Sequence, residues 1–328
     1  MRLDGIHHIT AITGDAPGNV RFYTGVLGLR LVKKTVNQDA PSIYHLFYAD
    51  EHGDPGSDLT FFEFPGAQRG RAGAGQVHRI VWRVTSQAAL DFWQERLAAA
   101  DVAAQREGGT LRFSDPEGLE HELLIVDTGD TPLVAEHPEI PAELALQGFE
   151  AVRAYTTDPE RSRPVLETLE MRELDPSDAS SGRLGAPAAL DRPLDHEGWE
   201  ARGDVRGGRI VYDPAPDAQP IEGAGSVHHV AWACTTDEQL AWRERLLRAG
   251  VPVTRQIDRF YFQSLYFREP SGVLFEIATM GPGFAVDEDP THLGERISLP
   301  PAFEHLRDQV ERSLTPLPDP RADWPART

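Results

Sequence analysis

The sequence predicts an α+β protein of four βαβββ modules, arranged in two halves that form cupped mixed sheets with the helices outside. Three observations carry this. The stretch Gly5-Ile-His7-His8-Ile-Thr10 returns as Gly225-Ser-Val-His228-His229-Val. Comparing the chain with itself extends the pair to four units, over residues 3–65, 76–127, 147–222 and 226–280, each opening with a strand and then a helix. Short strand-like runs follow each single helix, whereas a doubly wound sheet would need a helix between each pair of strands.

In the first unit the strand over residues 6–13 is followed by Asp15-Ala-Pro17, a capping acid and a proline placed to start a helix. Apolar residues at 20, 23, 26 and 27 make one helical stripe, which Gly28 ends as a natural C′ residue. The second unit repeats this from Ser86 through Leu90 and Trp93, the third from Asp158-Pro159, and the fourth from Thr236 through Leu240 and Trp242. Strand-like runs then follow at 44–48 and 59–63 in the first unit, and at 260–267 and 273–278 in the fourth. Residues 1–127 and 147–280 thus read as two-module domains joined by a linker at 128–146, rich in Pro, Glu and Ala. Residues 175–193 read as a mobile loop inside the third unit. Residues 281–328 form a Pro-rich charged tail that wraps over the body, with one helix expected at 301–314.

Composition bounds the partners. At 328 residues each half can bury a core of its own. A net charge of −20 argues against nucleic acid and against an anionic membrane surface, which would repel the chain. A single cysteine, Cys234, excludes an internal disulfide framework and thiolate metal clusters and fits a reducing, cytoplasmic compartment. The first residues hold no apolar run of signal-peptide length, and no stretch approaches the roughly 20 apolar residues of a membrane span.

The repeat also supplies an internal control on the chemistry. Aligning the opening strands sets His8 against Arg79, Ala151 and His229, so only the first and fourth units keep imidazole there. Aligning the final strands on their Pro/Gly turns sets Glu276 against Glu122 in the second unit and Thr60 in the first. A set of His8, His229 and Glu276 therefore assembles once. Strand alternation puts His8 with Thr10 on one face and His7 with Ile9 on the other. It also leaves Glu276 opposite Phe275 and Ile277, on the concave side, where a bare carboxylate would be costly without a cation. Two histidines and one acid suit a mononuclear iron site, and three protein ligands leave positions open for catalysis. His7 and His228 are candidates to support the ligands or donate protons. His45, His52, His78, His121, His137, His196, His292 and His305 lack the repeat argument and read as structural or solvated, and Glu122 beside Arg79 reads as a lapsed second site.

These residues resemble the vicinal oxygen chelate superfamily, which includes glyoxalases, bleomycin-resistance proteins and extradiol dioxygenases, and in particular its bacterial ring-cleaving hydroquinone dioxygenases. The resemblance spans nearly the whole chain, through Gly5-Ile-His-His-Ile-Thr10, Lys34-Thr-Val-Asn37, Tyr44-His-Leu-Phe-Tyr48, Leu59-Thr-Phe-Phe-Glu63, Gly148-Phe-Glu-Ala-Val-Arg153 and Tyr266 through Glu276-Ile-Ala-Thr. It implies Fe(II), or Mn(II) in its place, on His8, His229 and Glu276. It also implies supporting roles for His7, Thr10, His228, Arg259 and Tyr266, Arg259 holding a substrate oxyanion and Tyr266 bonding it. The implied partners are a small aromatic diol and O2, with a homo-oligomer left open. Two rivals share the fold. A glyoxalase-like isomerase would want a fourth protein ligand, for which the aligned residue is Thr60 with Glu63 nearby. A metal-free aromatic-drug-binding protein of the bleomycin-resistance type would have no use for three metal ligands.

Overall fold

The computed structural model describes residues 1–174, 198–322 and 324, so the 175–193 segment and His196 lie outside the described residues. The first unit comprises β1 (Ile6–Thr13), a helix α1 (Ala16–Val20), β2 (Arg30–Asn37), β3 (Ala40–Ala49) and β4 (Asp58–Glu63). The second comprises β5 (Val77–Val84), α2 (Gln87–Ala99), β6 (Ala104–Glu107), β7 (Thr110–Ser114) and β8 (Glu120–Ile125). The third holds β9 (Phe149–Thr156), α3 (Arg163–Thr168), β10 (Arg172–Glu173), β11 (Gly198–Arg202) and β12 (Gly207–Pro214). The fourth holds β13 (Val227–Cys234), α4 (Gln239–Arg248), β14 (Ile257–Asp258), β15 (Gln263–Arg268) and β16 (Leu274–Thr279).

These strands make two eight-stranded mixed sheets, in the orders β14-β15-β16-β13-β1-β4-β3-β2 and β10-β11-β12-β9-β5-β8-β7-β6. The first unit therefore pairs with the fourth and the second with the third, so both cups are built across the 128–146 segment. The antiparallel seams β1–β13 and β5–β9 carry the same irregularity four times: a bulge falls at His7, His228, His78 and Glu150. The Pro/Gly turns used to align the final strands also match, since Gly56, Gly118 and Gly272 sit at φ +110°, +97° and +112°, a region open to glycine without strain.

The helices cover the outer faces. Ser86 Oγ accepts the Ala89 N–H and starts α2, whose Leu90, Trp93 and Leu97 are buried. Gln239, buried at the start of α4, donates its amide to the carbonyls of Gln263 and Ile277 and pins the helix to β15 and β16. The first-unit helix departs from the expected α form: residues Arg21–Val26 widen into a π turn, with Leu27 N–H bonded to Phe22 O. Arg96 of α2 donates to the carbonyls of Gly25 and Val26 and so satisfies groups at the end of this turn.

The tail is part of the wall of the first cup. The short helical turn Pro301–Leu306 and α5 (Arg307–Ser313) match the helix expected at 301–314. Upstream, Lys33 of β2 is fully buried, donates to Asp287 Oδ1 at 2.7 Å and to Phe284 O, and pairs with Glu288. The Tyr261 hydroxyl donates to Asp287 Oδ2, and the Tyr261 ring lies 4.8 Å below the Lys33 ammonium. Removing one partner of a buried ion cluster strands the others, so Lys33→Ala is expected to destabilise the protein by about 3–5 kcal/mol. Thermal unfolding should show a fall of roughly 10 °C; an unchanged melting temperature would show that the tail does not brace the cup.

Candidate metal centre

The site sits where β1, β13 and β16 run side by side. Parallel pairing of β13 with β16 places Glu276 beside Ala231, two residues after His229, and the β1–β13 seam brings His8 across. Glu276 Oε2 lies 3.0 Å from His229 Nε2 and 3.2 Å from His8 Nε2, and the two Nε2 atoms are 3.3 Å apart. All three side chains are buried, and among the described residues they form the only such group of three potential ligands. Neither Glu276 oxygen has a properly directed hydrogen-bond donor. The three atoms thus cluster within metal-ligand reach of a common position. Metal bonds of about 2.1 Å meeting near right angles would put donor atoms about 3 Å apart, so the triangle fits a facial set on a divalent cation.

The adjacent histidines set the tautomers that a metal needs. His7 Nε2 lies 3.1 Å from Thr279 O, an acceptor, so this nitrogen carries the proton and His7 Nδ1 is left as an acceptor. His8 Nδ1, 2.9 Å away, must then donate, which leaves the His8 Nε2 lone pair facing Glu276 and His229. His228 Nδ1 and His229 Nδ1 repeat the contact at 2.7 Å. Burial, then the neighbouring His8, pushes His7 down to about 3; burial, then His229, pushes His228 down to about 4. Both are neutral near pH 7. Burial alone would raise the Glu276 carboxyl, but His8 and His229 outweigh it and hold it well below the ordinary range. Alternation placed His7 on the face away from His8. The bulge at His7 changes this, and both rings contact Phe262, at 5.2 and 5.0 Å between centroids.

The triangle opens on a cavity that His8 and His229 line together with Phe47, Phe62, Tyr261, Phe262 and Tyr266. Asn37, Gln38, Asp39 and Arg259 also line it. The sequence placed a strand at 260–267, but β15 begins at Gln263 because Phe260 adopts φ +69° in a tight turn. That turn holds Arg259, whose guanidinium donates to Asp39 Oδ2 at 2.9 Å and lies 5.7 Å from the Tyr266 ring centroid. Burial, then the Glu276 charge, raises Tyr266, so its phenol stays protonated. Thr10 Oγ1 reaches His229 Nε2 at 3.0 Å. His7, Thr10, Arg259 and Tyr266 lie around the triangle, whereas His228, beside His229, lines a second cavity with Gln76, Glu222 and Arg268. His45 was read as structural or solvated, yet it lines the same cavity as His8. Its signal was the alternation of β3, which sets His45 and Phe47 on one face.

The second cup is filled with ion pairs. Arg79, the counterpart of His8, bonds Glu120 at 2.8 Å and Glu122 at 3.1 Å; Arg112 reaches Glu122; and His78 and Arg153 share Asp213. The nearby His78, 3.7 Å away, with burial opposing and Arg79 assisting, pulls Glu120 down to about 2; for Asp130 burial is outweighed by Arg202 and Arg83, giving about 2. Between roughly pH 4 and 2 the folded state then binds fewer protons at these carboxyls than the unfolded chain does. Their contribution is complete above that window and is lost as pH falls through it. Arg79→Met is expected to move the acid-unfolding midpoint upward, read by far-UV circular dichroism; an unmoved midpoint would count against the pairing.

The protein-family model of the Glyoxalase/Bleomycin resistance protein/Dioxygenase superfamily matches residues 5–123 and 148–277. "Putative ring-cleaving dioxygenase MhqA" of Bacillus subtilis (strain 168) is 37% identical over 97% of this chain and 100% of its own length. "Chlorohydroquinone/hydroquinone 1,2-dioxygenase" of Sphingobium indicum is 32% identical over 95% of this chain and 96% of its own. Among solved structures, a "putative dioxygenase" from Bacillus subtilis aligns with a TM-score of 0.85 at 35% identity, covering 97% of this chain and 98% of that one. Glyoxalase I from Zea mays aligns at 0.54 and 16% identity, over 84% and 92%, a likeness of fold alone.

Proposed function

Because the chain belongs to the glyoxalase/bleomycin resistance protein/dioxygenase superfamily, we propose that it is an Fe(II)-dependent, extradiol-type dioxygenase that opens the ring of hydroquinones or catechols. The observation that carries this reading is the convergence of two imidazoles and one carboxylate on a position whose remaining face opens into an aromatic-walled cavity. Iron(II) held by His8, His229 and Glu276 supplies the one-electron chemistry by which O2 reacts with a ring, and Mn(II) suits the same donors.

The chain's own residues do the rest. Phe47, Phe62 and Phe262 offer faces and edges for a planar ring and keep bulk water from the triangle. Arg259, permanently charged, favours the anionic form of a ring hydroxyl, and Tyr266 donates its phenol proton to an oxygen held there. His7 is closed between His8 and Thr279 O, which suits it to orienting His8. His228 has one nitrogen on His229 and lines the second cavity, which suits it to carrying a proton between ring oxygen and solvent.

The test is oxygen uptake by protein reconstituted anaerobically with Fe(II), comparing hydroquinone, methylhydroquinone and catechol, with His8→Ala as the control. Uptake that requires His8 is expected, and the preferred ring separates para from ortho diols. No uptake with any diol, despite stoichiometric iron, would overturn the dioxygenase in favour of a metal-dependent isomerase.

A further inference from the structure

The open face of the triangle is bordered by a string of hydrogen bonds that the proposed mechanism does not use. Thr10 Oγ1, 3.0 Å from His229 Nε2, lies 2.8 Å from Thr60 Oγ1, which lies 2.9 Å from His45 Nε2. Pairing of β1 with β4 sets Thr10 beside Thr60, and pairing of β3 with β4 sets Phe47 beside Thr60 and His45 beside Phe62. The His45 ring packs against Phe47 and Phe62, with centroids 3.9 and 4.4 Å away. Thr60 also has a counterpart. Thr10 follows His8 by two residues and lies beside Thr60, just as Ala231 follows His229 by two and lies beside Glu276. Where the fourth unit supplies a ligand, the first supplies a hydroxyl tied to an imidazole.

We propose that His45 is a positioning residue of this centre: acting through Thr60, it turns the Thr10 hydroxyl outward so that its proton meets an anionic oxygen, such as a phenolate, bound on the open face. Two threonine hydroxyls in series have no preferred direction of their own, because each can donate or accept. The imidazole sets the direction. Burial holds His45 well below its ordinary range, so it is neutral with a single N–H. With that proton on Nε2, His45 donates to Thr60, Thr60 donates to Thr10, and the Thr10 proton is left for the ligand. A metal bound at His229 Nε2 would take up its lone pair, which then would not compete for this proton. Each donor in the chain polarises the next.

The inference rests on the aromatic-diol reading only in naming phenolate, and its test needs no turnover. Zn(II)-loaded protein is titrated with 4-nitrophenol, and phenolate binding is read from the nitrophenolate absorbance. His45→Phe keeps the aromatic packing and is expected to keep stoichiometric metal while weakening phenolate binding roughly tenfold, the size of one hydrogen bond to a charged group. Thr60→Val, nearly isosteric, should lose the same factor, and the double variant no more than either single one. His45→Gln, whose amide can donate to Thr60, should recover most of the loss. In 15N spectra of histidine-labelled protein, His45 should carry its proton on Nε2. Unchanged phenolate affinity in His45→Phe and Thr60→Val, a double loss equal to the sum, or loss of zinc along with phenolate binding in Thr60→Val would each overturn the assignment. Absence of oxygen uptake with every diol would sink the dioxygenase reading and leave these outcomes as they stand.

Discussion

Glu276→Gln is expected to strip the protein of its metal. The substitution keeps the size and shape of the side chain and removes its charge. In the native site that charge is fully buried beside the His8 and His229 imidazoles, with no directed donor on either oxygen. A cation held there loses its only anionic ligand, so affinity should fall by well over the roughly 10- to 100-fold typical of losing an outer hydrogen-bond partner. Metal content after dialysis, read by elemental analysis, checks this, and oxygen uptake should disappear with the metal. Stoichiometric metal in the variant would make Glu276 a structural acid.

The three candidate ligands were legible because the repeat let one unit control for another. A lone His-His pair says little, but the same pair at the start of two of four units, with arginine and alanine at the other two, singles out His8 and His229. The Pro/Gly turn marked Glu276 in the same way, and the matching glycine conformations of Gly56, Gly118 and Gly272 show why that alignment was sound. Other features lay beyond local pattern. Which units share a sheet follows from seams between residues far apart in the chain, and self-similarity is silent on it. Strict alternation misplaced His7 because a bulge admits an extra residue, which no period of two anticipates. Arg259 reaches the cavity rim from a turn in which Phe260 takes a left-handed conformation that its residue type gives no reason to expect. His45 stayed hidden for a related reason: its partner Thr60 lies 15 residues on, and only the β3–β4 register joins them. The metal-facing atoms could be read from one unit against another, whereas the groups that direct them depend on packing between units.

Thr60→Glu should do the opposite of Glu276→Gln to the metal and the same to turnover. Thr60 stands to His8 as Glu276 stands to His229, each beside the residue two positions after its histidine. A glutamate at 60 therefore has a backbone placed to send a second carboxylate toward the open face. Thr60 is fully buried, so the new charge has strong reason to find a cation. Four protein ligands and a second negative charge should slow chelator-driven metal release by at least about tenfold and raise the melting temperature of the metal-loaded protein. Oxygen uptake should fall by roughly a hundredfold or more, about 2.7 kcal/mol of barrier, because the carboxylate occupies a position that substrate or O2 requires. Loss of turnover with faster metal release would point to misfolding around the new charge. Unchanged release and turnover would mean that the pseudo-symmetry of the first and fourth units stops at the backbone. Tighter metal with lost turnover would establish that the open face, kept open by a threonine, is what separates this centre from a four-ligand one on the same fold.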